Sequence, residues 1–195
     1  MNEIGARFDR HTDRQADSVK LRPICIEDTD KIIKWRNQNF VMNNLYTQEK
    51  LTSEQHVHYY KKKIQTGMVK QFVILANYQN NWIEIGTTFL KNLDFHSKKA
   101  EFGIFIGENE TRGNGFGTLA TLLTVKYGFE TMNLNRIYLS VIADNTAAIK
   151  AYRKVGFHEE GLLKQDFFRT DSFVDVIIMG FLREKWELLN KNGTN

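Results

Sequence analysis

The sequence predicts an α/β domain in which a mixed β-sheet carries helices on both faces. Three observations predict it. Short apolar runs bounded by polar turns recur along the chain and read as strands. Between them lie stretches whose apolar residues repeat at helical spacing. Several strands follow one another with no helix between, so the sheet is not fully alternating and parallel. A chain of 195 residues with 42% hydrophobic content suits one domain that buries its own core.

Each element has its own signal. Val19 to Ile26 reads as a short strand, and Glu27 to Asp30 supply acidic and capping residues before a helix carrying Ile32, Ile33 and Trp35. A polar loop from Gln38 to Leu51 leads to Thr52-x-x-Gln55, a capping box opening a second helix through Ile64. Gln71–Ala76 and Trp82–Leu90 read as a hairpin joined by the turn Tyr78–Asn81, and Ala100–Ile106 as the next strand. Phe116, Leu119, Ala120, Leu123 and Tyr127 then mark a helix that opens within a glycine run. Arg136–Ile142 is an apolar strand, and Asn145–Val155 a helix stopped by Gly156. Phe157–Gln165 and Phe173–Leu182 read as the last strands, with Glu184–Leu189 extending as a helix.

Residues 1–18 are polar and read as a loose leader; residues 19–195 read as a single domain. The leader has no apolar segment of the secretory kind, and no stretch approaches the ~20 consecutive apolar residues of a membrane span. The expected address is therefore the cytoplasm. Cys25 is the single cysteine, and no Cys/His cluster has ligand spacing, so neither a disulfide nor a metal site is expected. The net charge of +4 is too modest for a nucleic-acid partner, and Lys61 to Lys63 read as a solvated helix end. A mild positive charge does suit an anionic small ligand.

The sharpest motif is Arg112-Gly113-Asn114-Gly115-Phe116-Gly117, set between a strand and a helix. Helix N-termini present unbonded N–H groups and partial positive charge. Glycines let an anion come close, so strand, loop and helix together make a phosphate cradle. The run is neither G-x-G-x-x-G nor a Walker loop, since no lysine follows Gly117. Taken alone, it is equally a tight strand-to-helix connection.

Downstream residues add to this. Arg112-x-x-Gly115-x-Gly117 resembles the Q/R-x-x-G-x-G/A signature of the Gcn5-related N-acetyltransferase (GNAT) superfamily. Asn145-x-x-Ala148-Ile149-x-x-Tyr152-x-x-x-Gly156-Phe157 resembles its second coenzyme-contacting segment. Trp35-Arg36-Asn37, Glu160-Gly161 and Asp175 are similar to the ribosomal-protein N-acetyltransferase branch, and within it to the sugar-nucleotide N-acetyltransferases of pseudaminic acid biosynthesis. The resemblance implies a GNAT-like mixed sheet splayed between Ala100–Ile106 and Arg136–Ile142, with acetyl-coenzyme A as co-substrate in the gap. It places the pantetheine arm along Ile104, Phe105 and Ile106. The pyrophosphate falls on Arg112, Gly113, Asn114, Gly115, Phe116, Gly117 and Thr118, and Asn145 and Ala148 make further coenzyme contacts.

The implied chemistry is direct attack of a neutral amine on the thioester in a ternary complex. It needs a base for the amine, a stabilised oxyanion and an acid for the leaving thiolate. Tyr152 matches the family's acid, against a competing role as a core-facing helix residue. Asn145 is a coenzyme contact, a helix cap, or both. Glu101 is the leading base, against a role as a salt-bridged strand residue; His58, His96 and a water relay are its rivals.

For the acceptor, Trp35, Arg36, Asn37, Asn43, Tyr46, His58, Tyr59, Phe167, Phe168 and Arg169 are the candidates, Trp35 being also a natural core anchor. Aromatic and basic types among them point to an anionic 4-amino sugar nucleotide over a polyamine, which would want carboxylates. A protein N-terminus is the alternative acceptor, and a coenzyme-binding sensor without turnover the alternative class. A homodimer is compatible with all three.

Overall fold

The computed structural model describes residues 18–192. The expected leader therefore lies outside the described residues, apart from Ser18. A seven-stranded sheet runs in the order β1-β2-β3-β4-β5-β7-β6. Its strands are β1 (Val19–Pro23), β2 (Lys70–Tyr78), β3 (Asn81–Asp94), β4 (Lys99–Ile106), β5 (Arg136–Ile142), β6 (His158–Arg169) and β7 (Ser172–Leu182). The helices are α1 (Thr29–Arg36), α2 (Asn39–Met42), α3 (Ser53–Tyr59), α4 (Phe116–Lys126), α5 (Thr146–Val155) and α6 (Arg183–Asn192). Neighbouring strands are antiparallel except β4 and β5, which are parallel. No helix among the described residues is long and apolar enough to cross a membrane.

Strand alternation divides the core. Ala100 and Phe102 of β4 and Ile137, Leu139 and Val141 of β5 pack with Leu122 and Val125 of α4 and with Ile149, Tyr152 and Val155 of α5. On the opposite face Phe105 and Val73 pack with Ile32 and Trp35 of α1. The sheet is thus covered on both sides, as the sequence predicts.

Two of the capping signals hold, while Asp28, at the N-terminus of α1, makes no side-chain cap hydrogen bond to that helix. Thr52 Oγ1 accepts from Gln55 N–H (3.3 Å), and Gln55 Oε1 accepts from Thr52 N–H (2.9 Å), closing the capping box of α3. Asn145 Oδ1 accepts from Ala148 N–H (3.2 Å) at the start of α5. Gly156 ends α5 at φ +123°, where a Cβ would also meet the Phe181 ring at 2.6 Å.

Three differences from the sequence reading have an identifiable physical cause. β1 stops at Pro23, because Asp28 accepts from Cys25 N–H (2.9 Å) and from two Arg22 nitrogens (2.8 and 2.6 Å), pulling the chain into a 3-10 turn at Ile26–Asp28. The Gln38–Leu51 loop contains the one-turn helix α2, which no apolar periodicity announced. The final helix runs from Arg183 to Asn192, longer than expected, because Trp186 is buried against Phe129 and Phe181.

A buried histidine that the sequence did not single out joins α1 to α3. His56 is 3% exposed, and its Nδ1 lies 3.0 Å from Thr29 Oγ1. That hydroxyl donates to Ile26 O (2.6 Å), so Nδ1–H is the donor to it and Nε2 is left buried without a partner. Burial holds the His56 pKa below its ordinary 6.5. The unfolded chain therefore takes up this proton first as pH falls, and the native state loses stability below about pH 6.5. Thermal unfolding is expected to show a smaller drop in Tm between pH 7.5 and 5.5 for His56→Gln than for the wild type. Equal drops would remove His56 as the source.

Candidate active site

The site is built around a fork in the sheet. β4 and β5 pair only over Lys99–Glu101 with Arg136–Tyr138, while β5 stays paired with β7 along its whole length. Beyond Glu101, the β5-facing side of Phe102 to Ile106 has no strand partner, although β3 still pairs with the other side. Backbone N–H and C=O groups there must be satisfied by something else. An extended ligand with amide groups would pair along Ile104, Phe105 and Ile106.

α4 and α5 start at the open end of the fork, beyond the C-terminal ends of β4 and β5. Ligands of open α/β sheets bind at such places. At α4, Gly113 and Gly115 both sit at φ +82°, a left-handed conformation that favours glycine. A Cβ at Gly113 would meet nothing within 4 Å, so its surface is open to solvent. The N–H groups of Gly113, Asn114, Gly115, Phe116 and Gly117 find no acceptor among the described residues. Thr118 N–H does not join them, since it donates to Gly115 O (3.0 Å). Asn114 Nδ2 braces the loop by donating to Thr111 O (3.1 Å) and Arg112 O (3.3 Å). The Phe116 ring is in the core near Tyr78, leaving only its backbone for a ligand. Arg112 is exposed, its guanidinium 5.0 Å from the Phe40 ring centre. Free donors, a helix end and an arginine together make an anion cradle.

The two catalytic candidates flank the fork on opposite faces. Tyr152 packs edge-on against Phe102, the first β4 residue past the last rung, with ring centres 6.0 Å apart. Its ring is 9% exposed and burial raises the phenol's pKa. It therefore stays protonated, as a donor must. Ala148 packs on the same core, and its N–H is committed to Asn145. Glu101 occupies the last β4 rung, directly across from Tyr138. Lys91 Nζ (3.0 Å) and Asn92 Nδ2 (2.8 Å) hold its carboxylate. The rival histidines sit elsewhere, both exposed: His58 on α3 and His96 in the β3–β4 turn.

A wall rises over Glu101's face. Tyr46 lies edge-on to Phe167 with ring centres 5.1 Å apart, and the Ser140 hydroxyl of β5 is near enough to favour its phenolate. Burial, with the charges of Asp166 and Glu101, pushes the Tyr46 phenol up to about 12. Arg169 pairs with Asp144 and reaches Asn43 O (3.5 Å), tying the β6–β7 hairpin to the loop after α2. Phe168 is exposed at the hairpin tip, its ring tilted against Phe173 with centres 5.0 Å apart.

The Trp35-Arg36-Asn37 triplet is only partly on this wall. Trp35 is 1% exposed, with its indole N–H on Glu108 (2.6 Å), so the ring anchors α1 rather than meeting a ligand. Asn37 closes the loop: Nδ2 donates to Leu51 O (2.9 Å), and Oδ1 accepts from Leu51 N–H (2.7 Å). Arg36 donates to Thr47 O (2.7 Å), while its Nη1 is buried without a partner. Asp166, Tyr138, Ser140 and Asn92 went unread in the sequence. Alternation along β5 places Tyr138 and Ser140 opposite the buried Ile137, Leu139 and Val141, and was the available signal for those two.

Comparison with known proteins agrees with this geometry. The acetyltransferase (GNAT) domain family matches residues 18–158. Spermidine N(1)-acetyltransferase of Escherichia coli K12 is 31% identical over 171 residues, covering 88% of this chain and 89% of that protein. Acetyltransferase PseH of Campylobacter jejuni is 28% identical over 131 residues, covering 67% and 77%. The crystal structure of Vibrio cholerae spermidine N-acetyltransferase in complex with CoA and spermine superposes with a TM-score of 0.80 at 29% identity, over 88% of this chain and 99% of that one.

Because Asn37 makes two backbone hydrogen bonds, Asn37→Ala is expected to cost about 1–3 kcal/mol of folding stability, read from urea unfolding midpoints. An unchanged midpoint would return Asn37 to the ligand candidates.

Proposed function

The chain belongs to the GNAT acetyltransferase family and is an acetyl-coenzyme A-dependent N-acetyltransferase; we propose that its acceptor is a cationic, polyamine-like primary amine. The carboxylates around Tyr46 carry this reading. Glu101 and Asp166 both act on that phenol. The nearby cations Arg136, Lys164 and Arg169 are each already paired, with Glu160, Asp175 and Asp144 respectively. Glu101 is paired as well, with Lys91, so the uncompensated charge of this rim is the exposed Asp166 carboxylate, which attracts an ammonium group and repels phosphates. The spermidine acetyltransferases among the relatives support the same choice. It replaces the sugar nucleotide expected from the sequence, which rested on residue types such as Trp35 and Arg169 whose side chains are engaged within the protein.

In this mechanism the cradle Arg112–Gly117 binds the pyrophosphate, and the unpaired edge of β4 binds the pantetheine amides. The acetyl group then lies at the fork, between Tyr152 on one face and Glu101 on the other. Glu101 takes a proton from the incoming ammonium. The neutral amine attacks the carbonyl carbon to give a tetrahedral oxyanion. As this collapses, the carbon–sulfur bond breaks and the Tyr152 phenol donates its hydrogen to the departing thiolate. The acylated nitrogen sheds its extra proton, which restores the phenol, and Glu101 returns its proton to solvent. Holding both substrates at the fork supplies the proximity advantage.

One observation favours a second reading. The unpartnered Nη1 of Arg36 would suit an anionic acceptor such as a sugar nucleotide. An acceptor screen with acetyl-coenzyme A separates the two: polyamines are expected to release thiol fastest, and a preference for 4-amino sugar nucleotides or N-terminal peptides would overturn the proposal.

Two substitutions test the catalytic roles. Tyr152→Phe is expected to lower kcat by roughly 10²-fold or more, with coenzyme affinity little changed, as for a lost general acid. Equal turnover at saturation would sink that role. Glu101→Gln is expected to lower kcat/KM by roughly 10²-fold, as for a lost general base, and an unchanged kcat/KM would exclude Glu101 as sole base.

A further inference from the structure

Where β6 passes the acceptor wall, its pairing with β7 jumps from Leu163↔Val176 to Phe167↔Val174. Three residues, Lys164, Gln165 and Asp166, therefore lie opposite Asp175 alone. Such a bulge re-aims side chains and is common beside active sites. Here Asp175 pins it, accepting from Gln165 N–H (2.9 Å) and Lys164 Nζ (2.7 Å), with Gln165 at φ +53°. The bulge ends at Phe167, whose ring rests on Tyr46, so Asp166 stands next to the acceptor wall.

Asp166 differs from the other carboxylates nearby. Glu101, Asp144, Glu160 and Asp175 each have a lysine or arginine partner. Asp166 is exposed and has no ion-pair partner among the described residues. Its charge is nevertheless felt at Tyr46, whose ring also senses Glu101. One wall thus presents two carboxylates from different strands, one at the fork and one set back on the bulge.

We propose that Asp166 holds a second, non-reacting ammonium of the acceptor and so makes the enzyme select polyamines over monoamines. The inference rests on the cationic-acceptor reading above. Glu101 meets the amine that is acetylated, while Asp166 meets a nitrogen a few carbons away and fixes the length and direction of the chain. A monoamine reaches the fork without using Asp166.

The test compares spermidine with butylamine for the wild type, Asp166→Asn and Asp166→Glu. Asp166→Asn is expected to cut the spermidine-to-butylamine ratio of kcat/KM about tenfold, the worth of one charge-assisted contact. The change should lie mainly in KM for spermidine, and Asp166→Glu should recover most of the ratio. An unchanged ratio, or equal losses on both amines, overturns the inference. A wild type that acetylates amines without preferring spermidine also overturns it, leaving N-acetyl transfer intact. No turnover of spermidine, with turnover of an anionic acceptor, sinks the cationic-acceptor reading and this inference with it.

Discussion

The molecule depends on a parallel strand pair that stops after three rungs. β4 and β5 meet from Lys99 to Glu101 and then part. Separation leaves backbone donors and acceptors of Phe102 to Ile106 without strand partners, a debt that water or a ligand must meet. It also opens the sheet between its faces. A group held on the α4–α5 side can then react with a group arriving on the α1 side. Tyr152 and Glu101 lie on opposite faces of the sheet at this opening.

The donor side and the acceptor side are built by different means. The donor side is largely backbone: free N–H groups of the Gly113–Gly117 turn and the unpaired edge of β4. Its chemistry needs little from particular side chains beyond glycine's access to φ +82° at Gly113 and Gly115. The acceptor side is made of side chains brought from distant segments. Tyr46 comes from the loop after α2, Ser140 from β5, Phe167 from the β6–β7 hairpin and Glu101 from β4. Loops carry such surfaces because they can vary without disturbing the sheet that supports them.

This difference explains the fate of the Trp35-Arg36-Asn37 triplet. In the chain it is an aromatic, a cation and an amide in succession, which suggests a ligand surface. In the fold Trp35 locks α1 against Glu108, and Asn37 clamps the loop at Leu51. The triplet thereby shapes the approach to the wall. Gly107 shows how tight the fit is, since a Cβ there would meet the Trp35 side chain at 2.1 Å.

By itself the sequence determined the fold class, most element positions, the capping of α3 and α5, and the glycine turn that opens α4. Those features follow from local rules: periodicity, capping chemistry and glycine's backbone freedom act over a few residues. It did not determine the short helix α2, the buried His56 or the bulge before Phe167, because each depends on partners far away in the chain. Nor did it determine the electrostatic character of the acceptor wall. Counting residue types made that wall basic and aromatic; only the tertiary structure paired Arg169 with Asp144 and Lys164 with Asp175, and left Asp166 exposed beside Tyr46. A charge's effect on a ligand depends on what already neutralises it, and that is decided by proximity in space.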